Sequence, residues 1–275
     1  MAHSALGVCS WSLQVSNIPD LVRLSAEVGA EVVQVGIGDP THGAWDEGAD
    51  FVGALQASGL ELSGTMIGFP GEDYTSPATI RETGGFGDPA LRAGRLEIFR
   101  YAVDKTAELG LQCLCSHAGF IPEEDGPERS SFLDCIAEAA QYAGDKDVLF
   151  TMETGQETAA LLRRTLDELK LPSLRVNFDP ANMILYDMGD PIEAIEILGP
   201  DIAHVHAKDA NPPQANGEWG EEVPLGDGSV GMAAFAEALA KAGYRGPLVV
   251  EREVGDQAER IAAIKHGISV LRELT

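Results

Sequence analysis

The chain is poor in positive charge. Only 19 Lys and Arg stand against 44 Asp and Glu, for a formal net charge of −25. No run of Lys and Arg interrupts this background. Phosphate backbones are bound by neutralising cations, so no nucleic-acid partner is expected. The acidic residues are spread out, with no acidic tail, and read as a solvated surface. Long apolar runs are also missing: none approaches the ~20 residues of a membrane span, so no membrane partner is expected. The opening "MAHSALGVCSWSL" has neither a charged segment nor a long apolar stretch. It reads as a first strand and not as a signal peptide. Cys9, Cys113, Cys115 and Cys135 form no CxxC pair. Without a secretory signal they read as reduced, packed thiols in a cytoplasmic protein.

What is present is an alternation. The 275 residues are 44 % hydrophobic and 23 % charged, ordinary for a globular protein. Eight short runs rich in Val, Ile, Leu or Phe read as strands: 5–11, 31–37, 60–68, 111–117, 147–154, 174–179, 201–207 and 247–253. Helical patterns lie between them, at 18–30, 45–58, 88–110, 127–144, 156–170, 190–199, 230–243 and 256–273. The first starts at Asn17, a favoured cap, and the third ends at Gly110. Strict alternation predicts parallel strands with right-handed crossovers. Eight units of this size predict an α/β fold, a (β/α)8 TIM barrel forming a single domain over 1–275. The alternative is a doubly wound open sheet. It would carry a glycine-rich turn after the first run, and "CSWSLQVSN" has no glycine.

In such barrels the chemistry sits at the C-terminal ends of the strands. The fourth to eighth runs end in His117, Glu153, Asp179, His206 and Glu251. Parity agrees with a role inside the barrel. In the fifth run, Val148, Phe150 and Met152 alternate with Leu149, Thr151 and Glu153; in the seventh, Ala203 and Val205 alternate with His204 and His206. The apolar set should face the outer helices and the polar set the barrel interior. Each residue alone is consistent with an ordinary polar group at the barrel mouth. Three carboxylates and an imidazole at successive strand ends favour a cation, because like charges that close would otherwise force protonation. Such a donor set suits one divalent ion, Mn2+, Mg2+, Co2+ or Zn2+.

His204 should lie about 6–7 Å deeper than His206, from a rise of ~3.3 Å per residue. Lys208 keeps the same parity and either reaches substrate oxygens or faces Asp209 as a solvated loop lysine. The stretch 69–88 is a long insertion after the third run, of the kind that covers a barrel mouth. It offers Tyr74, Glu72 and Arg81 as substrate contacts. "GDGSVG" at 226–231 matches GxGxxG but follows a loop, so it is discounted as a dinucleotide site. Ser229 is expected to cap the next helix, whose N-terminus could hold an anion.

The stretches "METGQET" (152–158), "VNFDPAN" (176–182), "HVHAKD" (204–209), "PLGDG" (224–228) and "VVERE" (249–253) carry a resemblance. With "SHAGFIP" (116–122) and "GFPGEDY" (68–74), the chain resembles the xylose isomerase-like sugar isomerase/epimerase superfamily of (β/α)8 barrels. The resemblance implies four metal ligands, Glu153, Asp179, His206 and Glu251. It also implies that Glu153 and Glu251 act as an acid/base pair on opposite faces of the substrate carbon. The expected reaction is proton abstraction beside a carbonyl through an enediolate, on a small sugar or sugar derivative. Ketohexose 3-epimerases of this group carry a second Glu, a His and an Arg where this chain has Ala159, Asn182 and Pro212. That leaves Glu157 and Asn182, with His117, Lys208 and Tyr74, as candidate substrate contacts for a different or modified sugar. Relatives are often dimers or tetramers, which implies a homo-oligomer.

Three other readings compete. A dehydratase similar to inosose dehydratase begins with the same proton abstraction. An endonuclease IV-like nuclease shares the barrel, but it uses a three-metal cluster with many histidines, and this chain has 6. A non-catalytic sugar-binding barrel would not need paired glutamates.

Overall fold

The alternation of apolar runs and amphipathic stretches becomes an alternation of strands and helices. The computed structural model describes residues 4–37, 50–215 and 217–275. In chain order the strands are β1 (Leu6–Cys9), β2 (Val32–Gly36), β3 (Leu62–Met66), β4 (Cys113–Ser116), β5 (Leu149–Glu153), β6 (Leu174–Phe178) and β7 (Ile202–Ala207). They are followed by β8 (Asp209–Asn211), β9 (Glu221–Val223) and β10 (Leu248–Val250). The helices are α1 (Ile18–Val28), α2 (Phe51–Ala57), α3 (Pro77–Thr83), α4 (Arg92–Glu108) and α5 (Pro127–Gly144). The remainder are α6 (Ala159–Leu169), α7 (Pro180–Leu185), α8 (Pro191–Leu198), α9 (Met232–Ala242) and α10 (Gln257–Leu274).

Strands β1 to β7 and β10 close a parallel barrel, in which β10 lies between β1 and β7. This is the (β/α)8 architecture that the alternation predicts. Strands β8 and β9 form a separate antiparallel pair between β7 and α9. Among the described residues no helix is long and apolar enough to cross a membrane.

Local signals set the helix ends. The Asn17 side chain accepts the Asp20 N–H and starts α1. Asp256 and Glu259 form a capping box at the start of α10. Helices α5, α7 and α8 open on proline, whose fixed φ suits the first turn.

Packing follows the strand parity. Phe150 of β5 meets Phe99 of α4 with ring centroids 4.7 Å apart, and Phe178 of β6 stacks on Phe235 of α9 at 6.3 Å. The interior of the barrel is different. It holds buried Gln34, Asn177, His204 and His206 beside a small apolar group of Cys9, Trp11 and Val249.

Several expectations need correction. The insertion at 69–88 is not all loop: Ser76 caps α3 in a capping box with Thr79. The helix expected at 45–58 is seen from Phe51 onward, and residues 45–49 lie outside the described residues. Ser229 does not cap the following helix. Gly231 takes that position with no side-chain bond, and the Ser229 hydroxyl donates instead to Asn211. Helix α7 and the β8–β9 pair were not expected from periodicity, because pieces of three to six residues carry no measurable period.

Phe150 is fully buried between the barrel and its helices. Truncation by Phe150→Ala is expected to lower the unfolding free energy by about 3–5 kcal/mol in urea denaturation. A loss under about 1 kcal/mol would mean that this layer is not close-packed.

Candidate active site

The strand ends bring Glu153, Asp179, His206 and Glu251 together. One donor atom from each lies within 4.8 Å of the others, and all four residues are buried. His206 Nδ1 is 2.8 Å from a Glu153 oxygen, 3.5 Å from Glu251 and 3.8 Å from Asp179 Oδ2. The spread is close to the ~4.2 Å that separates opposite ligands of an ion with ~2.1 Å bonds.

The His206 Nε2–H donates to Gln34 Oε1 at 2.6 Å, which turns Nδ1 toward Glu153 Oε1 at 2.8 Å, with Asn177 Nδ2 at 3.2 Å. Burial lowers this imidazole, but Cys9, Glu153 and Glu251 outweigh it and raise it well above its ordinary value. Asn177 Oδ1 in turn accepts from His204 Nδ1 at 2.8 Å, and His204 Nε2 accepts from the Ser63 hydroxyl at 3.1 Å. This ladder runs from His206 down into the barrel. It places His204 below the ligand layer, as its position two residues earlier requires. Burial depresses the His204 imidazole to about 3, which keeps it neutral.

Asp179 is the N-cap of α7. Its Oδ1 accepts from the Ala181 and Asn182 N–H groups, while Oδ2 is buried with no hydrogen-bond partner. A buried carboxylate oxygen without a partner is costly, and a cation would satisfy it. Burial raises the Asp179 carboxyl well above its ordinary range, and Glu251 and Glu153 add to this against the pull of Lys208. The donor set and the orphaned oxygen both fit a divalent ion.

The two glutamates differ in their surroundings. Glu251 accepts from the Trp11 indole N–H at 2.7 Å and from Lys208 Nζ at 2.9 Å. Burial pushes its carboxyl up, but Lys208 and His206 outweigh that and hold it well below the usual range. Glu153 accepts from Asn182 Nδ2 at 3.2 Å and lies 3.4 Å from His117 Nε2. Burial also pushes Glu153 up, and His117 and His206 bring it below the usual value.

Lys208 is buried and not a solvated loop residue. It reaches Glu251, Glu253 and, at 3.4 Å, Asn182 Oδ1. Asp209 turns the other way. Its carboxylate accepts four backbone N–H groups, from Ala210, Gly226, Gly228 and Val230. A Cβ on Gly228 would sit 2.2 Å from Asp209 Oδ1. The "GDG" stretch is therefore a loop folded onto Asp209, not a phosphate cradle.

His117, Asn182 and Tyr74 line the cleft above the cluster with Glu153 and Glu251. Glu157 does not. It is buried beside this wall with one oxygen unpartnered. Gly155, at φ +136, lets that turn pass over Asn182, where any Cβ would come within 2.5 Å. Glu72 also reaches the cleft, but its carboxylate is occupied by the N–H groups of Phe69 and Gly85. Arg81 stacks on Phe120, 3.9 Å from the ring centre, outside the cleft. Sequence reasoning missed Trp11, Gln34 and Asn177, which touch the candidate ligand residues Glu251 and His206 directly. Gln34 was visible as the lone polar residue within "VVQVGI".

Burial, with Glu153 nearby, raises the Glu157 carboxyl to about 8. A raised acid binds its proton more tightly when folded. Its contribution to stability is present below about pH 4.5 and lost as pH rises through 8. Glu157→Gln is expected to flatten that part of the pH dependence of unfolding, by at most about 1.4 kcal/mol per pH unit. Urea titrations with chelator at pH 5 to 8 check this; identical slopes in both proteins would contradict it.

Residues 22–274 match the family described as xylose isomerase-like TIM barrel. A xylose isomerase domain protein from Planctomyces limnophilus is 30 % identical, with 99 % of this chain and 97 % of that chain aligned at a TM-score of 0.89. D-allulose 3-epimerase from Methylomonas sp. shares the fold at 18 % identity, 100 % and 98 % coverage and a TM-score of 0.71. L-ribulose-5-phosphate 3-epimerase UlaE from Escherichia coli is 28 % identical over 173 residues, which span 61 % of this chain and 59 % of that protein. The matched length and the eight-stranded barrel agree: the chain belongs to the xylose isomerase-like TIM barrel family.

Proposed function

We propose that this protein is a divalent-metal-dependent isomerase or epimerase acting on a small sugar or sugar derivative. The observation that carries the reading is the pair Glu153 and Glu251, two buried carboxylates that converge on His206 Nδ1, one from the end of β5 and one just past β10. The relatives named as sugar epimerases support the substrate class. Glu153, Asp179, His206 and Glu251 would hold the ion, with Mn2+, Mg2+, Co2+ and Zn2+ all compatible with the donors. When bound, the ion polarises the substrate carbonyl and acidifies the adjacent C–H.

The chain's own residues do the proton work. One glutamate removes the α-proton, and the other delivers a proton to the opposite face. Their environments keep the two roles apart. Glu251 is fixed by Trp11 and Lys208, both of which donate to it. Glu153 is flanked by His117 and Asn182, which also face the cleft and can hold substrate hydroxyls. His204 and Asn177 carry no part of the proton transfer; they orient His206 from below.

Solvent-deuterium exchange into a panel of keto-sugars tests this. Exchange at the carbon beside the carbonyl is expected, and it should be abolished by chelator and restored by Mn2+. Glu153→Gln and Glu251→Gln should each lower the rate by about 10²–10⁴-fold while the circular dichroism spectrum is kept. Unchanged exchange in both variants would overturn the mechanism. Release of water from the substrate would assign a dehydratase instead.

A further inference from the structure

The cleft is much larger than the chemistry needs. It encloses about 990 Å3 above the ligand cluster, at the top of the roughly 300–1,000 Å3 typical of pockets for drug-sized ligands. One sugar ring fills only a fraction of that space. The outer half is walled by aromatics. Tyr186, just past α7, packs against Trp219 with centroids 4.7 Å apart, and Phe120 backs Tyr186 at 5.8 Å. Tyr74 stands beside His117, their centroids 6.5 Å apart.

This shelf is anchored. The Gly220 N–H donates to Leu185 O at 3.2 Å, which ties the segment carrying Trp219 to α7. Gln156 Nε2 donates to the Tyr186 hydroxyl at 3.5 Å. Asp179 and Tyr186 stand at opposite ends of α7, and the Tyr186 ring lies over the turn that follows β5, where a Cβ on Gly155 would come within 3.3 Å of it.

The charge on the walls excludes one class of substrate. Five carboxylates line the cleft: Glu72, Glu153, Glu222, Glu251 and Glu253. Among the described lining residues the only Lys or Arg is Arg260. Its guanidinium is spent on the backbone carbonyls of Gly255, Trp11 and Glu253. Lys208 is buried among carboxylates below the cleft. Residues 1–3, 38–49 and 216 contain no Lys or Arg in sequence. The described lining therefore offers a phosphate no unpaired Lys or Arg to bind. Aromatic faces instead accept the apolar face of a neutral ring.

We propose that the outer cleft is a subsite for an uncharged ring, so that the substrate is a neutral glycoside or disaccharide of a keto-sugar and not a sugar phosphate. This rests on the isomerase/epimerase reading of the ligand cluster. In this arrangement the keto-sugar sits on the ligand layer and the attached ring lies against Tyr186 and Trp219.

Calorimetry on the Mn2+-loaded protein tests the proposal. The probes are D-fructose, D-fructose 6-phosphate, isomaltulose and lactulose, together with 3-keto-glucose and its methyl and phenyl β-glycosides. The disaccharides or the phenyl glycoside should bind about tenfold tighter than the parent sugar, and the phosphate more weakly than either. Trp219→Ala should remove the tenfold advantage and leave the parent sugar unchanged, while Trp219→Phe should keep it. Tighter binding of the phosphate, no binding of any conjugate, or equal losses for parent and conjugate in Trp219→Ala would each overturn it. Deuterium exchange into the same probes separates the two readings. Exchange without a conjugate preference keeps the reaction and loses the subsite. Conjugate binding that depends on Trp219, without exchange into any probe, keeps the subsite and loses the reaction.

Discussion

Three buried carboxylates within reach of one imidazole are the constraint on which the rest depends. Glu153, Asp179 and Glu251 cannot all be ionised in a low-dielectric interior unless positive charge is brought to them. The chain brings one such charge, Lys208, against Glu251. A divalent ion would bring the other two. The architecture is organised to allow this. Parallel strands point every second side chain into the barrel, and closure of the barrel brings the ends of β5, β6, β7 and β10 to one rim. Helices cover the outside, so the polar parity has no solvent to face and must be satisfied internally.

That satisfaction is layered. Ser63, His204 and Asn177 form a chain of hydrogen bonds beneath His206, and Gln34 holds its far nitrogen. Asp179 spends one oxygen as the cap of α7 and keeps the other for the site. Asp209 spends its whole carboxylate on the loop at 226–230, which frees Lys208 beside it to face the glutamates. Neighbouring residues of the same motif therefore do different work. Glu153 and Glu251 enter with different partners, and this asymmetry is what an acid/base pair needs.

The barrel was legible because its signals are local and repeated. Apolar runs, caps such as Asn17 and prolines at helix starts each report on a few neighbouring residues. The strand ends carried the site for the same reason, since parity and position together mark what faces the mouth. Other features were not legible. Trp11 and Glu251 are 240 residues apart in sequence, so no spacing links them. Gln34 bonds His206 from 172 residues away, so no spacing links them either. The hairpin of β8 and β9 depends on tertiary contact with α7, which has no sequence period. Lys208 was left between two readings because strand parity loses meaning where β7 ends, at Ala207.

The buried cluster at the strand ends is proposed to hold a single divalent ion. Metal analysis of the purified protein, with an anomalous-scattering map to place the ion, tests it most directly. One ion per chain, in contact with Glu153, Asp179, His206 and Glu251, is the result expected. A protein that takes up no divalent ion, or one holding three ions with His117 among the ligands, would contradict it.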